Sequence, residues 1–137
     1  MIKIRVGLIR VIDAFPFIIA EQEKLFEKEN LNVEIIWFGS AKDRDSAITS
    51  GNIDIAIHDP IGSLILIGGG VPIKIIAFIC CEKSNESNVG FYLLGRPGID
   101  INATNITITT VAVSRNTIIE YVAWRMLRDL GIDPSKI

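Results

Sequence analysis

Short polar segments follow the predicted strands of this chain, each at the start of a predicted helix, and they supply its candidates for chemistry. The carboxyl end of a parallel strand and the free N–H groups of a helix start favour small oxyanions or carboxylates. The candidates in these loops are Arg10, Asp13, Ala14, Gly39, Ser40, Ala41, His58, Asp59, Ser114, Arg115, Asn116 and Thr117. We therefore expect a binding site for a small solute at one edge of a sheet.

Catalysis has no comparable signal in the sequence. Four candidates are also the residue types of ordinary helix N-caps, namely Asp13, Ser40, Asp59 and Ser114. His58 is the single histidine, which excludes a His-based metal cluster and a two-histidine mechanism. His58 beside Asp59 could orient a general base, but neither Ser63 nor Ser114 lies in a nucleophile-elbow pattern. We predict no catalytic residue, no metal ligand and no cofactor.

The composition is that of a globular chain of about one domain. The 137 residues are 49% hydrophobic and 22% charged, with a formal net charge of -2. No block of basic residues occurs, so nucleic acid is not an expected partner. Cys80 and Cys81 are adjacent and form neither a disulfide framework nor a zinc-ligand spacing. The apolar region 61–81 is interrupted by three glycines, a proline and a lysine, so we predict no transmembrane segment.

Strands and helices alternate along the first part of the chain. Ile4, Val6 and Leu8 alternate with polar or small residues, as in a strand with one buried face. Hydrophobic periodicity, helix-capping residues and helix-breaking glycines and prolines predict further elements. The predicted strands are 32–38, 53–57 and 73–80, and the predicted helices are 15–30, 42–50 and 61–67. The 73–80 strand is expected to be buried on both faces. This alternation predicts an α/β fold with a parallel, doubly wound sheet.

After residue 81 the chain becomes polar, and the pattern predicts a crossing point. Strands are predicted over 89–94 and 106–113, followed by a helix over 116–130. The apolar face of that helix is predicted to consist of Ile119, Val122, Ala123, Met126, Leu127 and Leu130. We place the first lobe at residues 1–94, and the crossover with the start of an incomplete second lobe at residues 95–137.

Several segments stand in an order and at a spacing that are more specific than any one of them alone. They are Ile4-Arg-Val-Gly, the stretch 17–35, Ser50-Gly-Asn-Ile-Asp-Ile-Ala, Gly70-Val-Pro-Ile-Lys-Ile-Ile-Ala, Val113-Ser-Arg-Asn-Thr-Ile-Ile-Glu-Tyr and Leu127-Arg-Asp-Leu-Gly-Ile-Asp-Pro. Together they resemble the N-terminal part of a type 2 periplasmic binding protein. The similar group is the NMT1/THI5-like solute receptors of ABC importers for nitrate, sulfonates, taurine and thiamine precursors.

The resemblance implies a receptor that closes two lobes over a small solute and presents it, chemically unchanged, to an ABC permease. Carried over by position, the first lobe lines the cleft with Asp13, Ala14, Phe15, Ser40, His58 and Asp59. The second lobe lines it with Ser114, Arg115, Asn116 and Thr117. The two aspartates favour a zwitterion or an amino-bearing ring, and the arginine favours an anionic group.

Two departures from the family pattern matter. Residues 100–106 replace a lysine-containing turn before the second-lobe strand, and the family's chains are considerably longer. On that comparison the second lobe is incomplete, which leaves a sheet edge and apolar surface to be covered. We therefore expect a homo-oligomer, with exchange of the terminal strand and helix between copies as one route.

Location and chemistry each have an open alternative. The resemblance implies an extracytoplasmic location, but Met1 opens directly into an alternating strand without a signal-peptide pattern, so a cytoplasmic location stays open. The alternative to a receptor is an enzyme on the same fold, as in thiamine-pyrimidine or menaquinone-precursor biosynthesis. A third interpretation, the sensing domain of a transcriptional regulator, requires a helix-turn-helix ahead of Met1.

Overall fold

The computed structural model describes residues 1–77, 79, 90–95, 97–98 and 110–137. The chain divides into two compact units, Met1–Ile79 and Cys80–Ile137. The predicted lobe boundary between residues 94 and 95 stays a prediction. The predictions for Cys80 and Cys81 and for the turn at residues 100–106 lie outside the described residues.

The first unit is built on a parallel sheet in the order β2-β1-β3. Its strands are β1 (Ile2–Ile9), β2 (Leu31–Phe38) and β3 (Ile55–Ala56). β1 and β2 pair along their whole length, from Ile2 beside Leu31 to Ile9 beside Phe38. β3 pairs with β1 only at Val6 and Gly7. The carboxyl ends of all three strands therefore lie at one edge of the sheet.

Helices connect these strands. They are α1 (Phe15–Gln22), α2 (Leu25–Lys28), α3 (Ala41–Thr49), α4 (Pro60–Gly68) and, in the second unit, α5 (Ile118–Asp129), with short 3-10 turns at Ile12–Ala14 and Pro134–Lys136. Phe17 of α1 packs on the face of β1 that carries Val6 and Leu8. Arg44 of α3 lies beside Gly7, on the opposite face, because successive strand residues point to opposite sides. The predicted α/β fold with a parallel, doubly wound sheet is confirmed.

The apolar core lies between β1 and α1. Val6, Leu8 and Ala14 are its buried centre. The half-buried residues that pack around this centre are Ile4, Phe17, Val33, Ile35, Ile55 and Ile57. Each strand contributes alternate residues, so the strand period read in the sequence is also the period of burial.

The predicted single helix over 15–30 is wrong in one respect, because the structure contains two helices there. Lys24 adopts a left-handed backbone with φ 53°, which an α-helix of L-residues cannot include without interruption. Neither glycine nor proline marks the break in the sequence. The rings of Phe17 and Phe26 meet across the break with their centroids 6.3 Å apart, which joins the two helices through a side-chain contact.

The predicted strand over 53–57 is shortened to two residues, and a side chain accounts for its later start. The Arg5 backbone N–H donates to Asp54 Oδ2 at 2.8 Å instead of to a strand carbonyl. The Arg5 side chain closes the same contact, since its Nε and Nη2 reach the two oxygens of Asp54 at 3.0 and 2.8 Å. The carboxylate thus replaces one carbonyl acceptor beside β3, while the Asp54 N–H still donates to the Arg5 carbonyl oxygen at 2.8 Å.

The predicted strand over 73–80 is not present in its described residues, 73–77 and 79. Ile76 is 74% exposed and Ile75 is 50% exposed, so burial on both faces is also wrong. A strand requires a ladder partner, whereas Ile73 N–H donates locally to Val71 O at 2.8 Å. The described parts of the other two predicted strands, 90–94 and 110–113, are likewise not strands.

In the second unit, α5 begins at Ile118 rather than at residue 116. Thr117 is its N-cap, because Thr117 Oγ1 accepts the Ile119 N–H at 3.2 Å. Ala123 and Leu127 form the buried stripe of the helix, as predicted. Two members of the predicted apolar face, Ile119 and Leu130, are about two-fifths exposed. Gly131, with φ 76°, ends the helix in the left-handed conformation that glycine favours.

We predict that Gly7→Ala destabilises the first unit by about 1 to 3 kcal/mol through overpacking. A Cβ at this position would overlap Ile53 Cδ1 and would lie 3.1 Å from Phe38 Cε2. Urea unfolding followed by circular dichroism measures the change. Gly39→Ala is the matched control, since a Cβ there meets no atom within 4 Å. Equal stabilities of the two variants would contradict the close packing at Gly7.

A second prediction concerns acid stability and Asp54. The side-chain and backbone hydrogen bonds from Arg5 lower the pKa of Asp54 from 3.8 to about 2. A carboxylate with a depressed folded pKa stabilises the fold above its unfolded pKa, and the contribution disappears as the pH falls from about 4 to about 2.

Asp54→Asn should therefore lower the melting temperature at neutral pH and flatten its fall between about pH 4 and pH 2. Thermal melts across that range test the prediction. Glu34→Gln serves as control, because the ion pair of Glu34 with Lys3, at 2.9 Å, is exposed and should contribute little. An Asp54→Asn profile parallel to that of the unmodified chain would contradict the role of Asp54.

Candidate functional site

The site of the first unit begins at the start of α3, directly after β2. Ser40 is the N-cap, as predicted: its Oγ accepts the Asp43 backbone N–H at 3.1 Å and donates to Asp43 Oδ2 at 2.8 Å. The hydroxyl is thus engaged in the cap. The helix that it starts carries the two residues that organise the site.

Arg44 is the first of these residues and is only 3% exposed. Its Nη1 donates to the carbonyl oxygen of Ile57 at 2.6 Å, just after β3. Its Nε and Nη2 donate to Oδ1 of Asp45 at 3.0 and 2.8 Å. A buried guanidinium requires a negative partner and several acceptors, and this arrangement supplies both. Arg44 therefore joins α3 to the carboxyl end of β3.

His58 completes a chain of three charged or titratable groups. Its Nε2 lies 2.8 Å from Asp45 Oδ1, and its Nδ1 lies 3.1 Å from the carbonyl oxygen of Asp59. Ionised carboxylates and carbonyls only accept hydrogen bonds, so a ring protonated at both nitrogens satisfies both contacts and a neutral ring satisfies one. The His58 side chain is 9% exposed. Both ring nitrogens are engaged within the protein.

Asp59 begins α4, and its N-cap role is confirmed. Its Oδ1 accepts the Gly62 N–H at 2.9 Å. Its carbonyl oxygen accepts both the backbone N–H of Ser63 at 3.0 Å and the Ser63 hydroxyl at 2.9 Å. The buried Ser63 hydroxyl thus donates to the backbone rather than to the imidazole of His58. This geometry does not activate Ser63 as a nucleophile.

The loop after β1 places its three predicted residues differently. Ala14 is buried in the core against Val6 and Leu8. Asp13 is exposed and does not cap α1; a 3-10 turn intervenes, and the N-cap is Ala14, without a side-chain acceptor. The N-cap alternative for Asp13 is therefore corrected. Phe15 is 55% exposed.

An exposed cation lies at the same edge of the sheet. The guanidinium of Arg10, directly after β1, stands 5.8 Å from the centroid of the Trp37 ring, near the end of β2. No acidic side chain pairs with Arg10 among the residues that the structure describes. The pair adds a cation and an aromatic surface to the carboxyl edge.

The candidates of the second unit surround the start of α5. Thr117 Oγ1 donates to the Ser114 carbonyl oxygen at 2.7 Å, so Thr117 is the capping residue and Ser114 is not. Asn116 has φ 59°, and its N–H, one residue before the N-cap, donates to Glu120 Oε2 in the first turn at 2.7 Å. Arg115 is exposed. These contacts give Asn116 and Thr117 a structural role at the helix start.

The structure brings His58 and Asp59 close to Asp45. Asp45 lies on α3, whose N-cap is Ser40. Within the described residues, no hydrogen bond joins Asp13 or Phe15 to this group. The assignment of all ten predicted residues to ligand binding stays a prediction. Arg44 and Asp45, which organise the group, are not among the residues predicted from the sequence.

A signal for Arg44 is nevertheless present in the sequence. The buried positions of α3 are Ala41, Arg44 and Ala47, which recur every three residues and mark one helix face. An arginine on such a stripe must be buried with an acidic partner, and Asp45 is its neighbour in the chain.

In the part of the chain that the structure describes, no helix is both long and apolar enough to cross a membrane. No group of three or more His, Cys, Asp or Glu side chains there could hold a metal ion.

A parallel sheet with helices on both faces, and with polar groups at its carboxyl edge, defines the class of α/β proteins that bind ligands at strand ends. The chain belongs to the NMT1-like family, whose match covers residues 2–89. This confirms the predicted resemblance, and membership fits a solute-binding protein or a related fold of the periplasmic-binding-protein type. Comparisons with curated proteins and with solved structures found no match.

We predict that Arg44→Ala destabilises the first unit by about 3 to 5 kcal/mol, because the Asp45 carboxylate and the Ile57 carbonyl lose their buried donor. Chemical unfolding measures the loss. Lys3→Ala is the control, since it removes an exposed pair with Glu34 and should cost about 1 kcal/mol or less. Equal losses of unfolding free energy in the two variants would show that the contacts of Arg44 stabilise the fold no more than a surface ion pair does.

Proposed function

We propose that this chain is a solute-binding protein that holds a small molecule at the carboxyl edge of its parallel sheet without changing it chemically. The observation that supports this is membership in the NMT1-like family over residues 2–89. The first unit is compatible with ligand binding. Asp45, His58 and Arg10 provide polar and charged groups at the edge where open parallel sheets bind ligands.

We extend the proposal to delivery of the solute to an ABC permease, which implies an extracytoplasmic location. This extension follows from the resemblance to importer receptors, in which the binding protein presents its solute to a membrane partner. The solute class and self-association of the chain also remain proposals. The exposed apolar side chains of α4, Leu64, Ile65 and Ile67, are a surface that a second copy could cover.

The alternative is a biosynthetic enzyme on the same fold, and one observation favours it. A carboxylate and a histidine in hydrogen-bond contact, Asp45 and His58, form a pair that many enzymes use for acid–base chemistry. The same contacts weaken this candidate, because neither ring nitrogen of His58 is free to exchange a proton with a substrate. Binding without chemistry is therefore the better supported function.

Native mass spectrometry of the full chain, before and after incubation with a small-molecule extract, tests the proposal. We expect a discrete adduct whose mass equals that of a compound released unchanged on denaturation. A bound solute should also raise the melting temperature, since saturation at one hundred times the dissociation constant stabilises a fold by about 2.7 kcal/mol.

Two outcomes would contradict the proposal. A compound that is consumed over time, with a new mass in the supernatant, would indicate the enzyme. A chain that carries no adduct, and that no extract stabilises, would show that it binds no solute by itself. Heat-denatured protein in the same extract is the control for nonspecific adducts.

A further inference from the structure

The two oxygens of the Asp45 carboxylate have different surroundings. Oδ1 accepts all of the hydrogen bonds given above, from Nε and Nη2 of Arg44 and from Nε2 of His58. Oδ2 accepts none within the described part of the chain. No buried side-chain oxygen there lacks a partner, so this unpaired Oδ2 is in contact with solvent. One oxygen is anchored inside the protein, and the other is open.

The anchoring holds the open oxygen in position. The Asp45 side chain is 14% exposed, and its partners Arg44 and His58 are 4% and 9% exposed, so none of the three rotates freely into water. Arg44 is fixed in turn by the Ile57 carbonyl at 2.6 Å. A preorganised acceptor loses little side-chain entropy when a donor binds to it, which increases its contribution to affinity.

The position of this oxygen coincides with the edge where a ligand is expected. Asp45 lies in the second turn of α3, whose start follows the carboxyl end of β2, and it contacts His58, which follows the carboxyl end of β3. Ligands of open parallel sheets occupy the space beyond those strand ends. The open oxygen therefore belongs to the same edge as the proposed solute site.

We propose that Oδ2 of Asp45 recognises the solute, which consequently carries an N–H donor such as an ammonium, amidine or ring amino group. The inference rests on the proposed solute-binding function and deepens it. A carboxylate oxygen only accepts hydrogen bonds, and it repels an oxyanion placed beside it. Arg44 and His58 act through Asp45 as positioning residues.

The test compares matched probes on the full chain at fixed ionic strength. 4-Aminopyrimidine and benzylammonium present an N–H donor. Their matched partners are 4-methylpyrimidine, which has a similar shape without the donor, and benzyltrimethylammonium, which keeps the charge without an N–H. Benzoate is the anionic probe. Saturation-transfer NMR with titration measures the affinities. We expect the unmodified chain to bind each donor probe at least about tenfold more tightly than its matched partner, the factor that one charged hydrogen bond supplies.

Asp45→Asn is the decisive variant. The amide oxygen of asparagine can face Arg44 and His58, which places an NH₂ donor where Oδ2 stood. Affinity for the donor probes should fall about tenfold or more. Asp43→Asn is the matched control on the same helix; Asp43 Oδ2 already accepts from the Ser40 hydroxyl, so this variant should bind like the unmodified chain.

The outcomes separate this inference from the function on which it rests. Binding of benzoate alone, abolished by Arg10→Gln, would overturn the donor class and leave the solute-binding function standing. Donor binding that survives Asp45→Asn would overturn the role of Asp45. Failure of every probe, together with an absence of adducts in the native mass spectrum, would overturn both. Where Asp45→Asn does not fold, a preference below tenfold in the unmodified chain overturns the inference.

Discussion

The buried guanidinium of Arg44 is the interaction on which the organisation of the first unit depends. It is held at 3% exposure by a carbonyl just after β3 and by the carboxylate of Asp45, so one side chain joins α3, the end of the sheet and the loop before α4. A charge at that depth is stable only with its full set of acceptors. The geometry of the candidate site is a consequence of satisfying this charge.

Gly7 lies in the tightest part of this side of the sheet. A Cβ there would overlap Ile53 and crowd Phe38, and Arg44 of α3 lies in ordinary contact beside the same position. The opposite side of the sheet carries the apolar core of Val6, Leu8 and Ala14. The sheet thus has an apolar face under α1, and its other face, under α3, carries a buried ion pair. Polar chemistry is concentrated on the second face because its buried helix stripe contains Arg44.

Two side-chain contacts mark the two ends of the third strand. Before β3, the Asp54 carboxylate accepts the Arg5 backbone N–H in place of a strand carbonyl, while the Asp54 N–H still donates to the Arg5 carbonyl oxygen. Beyond β3, Arg44 binds the carbonyl oxygen of Ile57. His58 then meets Asp45, and Asp59 begins α4. Polar residues that the sequence places far apart are collected at the carboxyl edge by these contacts. Open parallel sheets bind ligands beyond such an edge, and membership in the NMT1-like family fits a solute-binding protein or a related fold.

Local sequence patterns are enough to predict the fold class, the first two strands, the caps at Ser40 and Asp59, and the glycine ends of helices. Each of these depends on local periodicity or on the backbone preference of one residue. The sequence also places His58 at a strand end. No local pattern predicts the helix break at Lys24, the exposure of Ile75 and Ile76, or the place of Ala14 in the core. The different surroundings of the two Asp45 oxygens likewise depend on the contact between α3 and His58, just after β3. The physical reason is that ladder partners, buried charges and open acceptors are properties of contacts between segments, which no local pattern specifies.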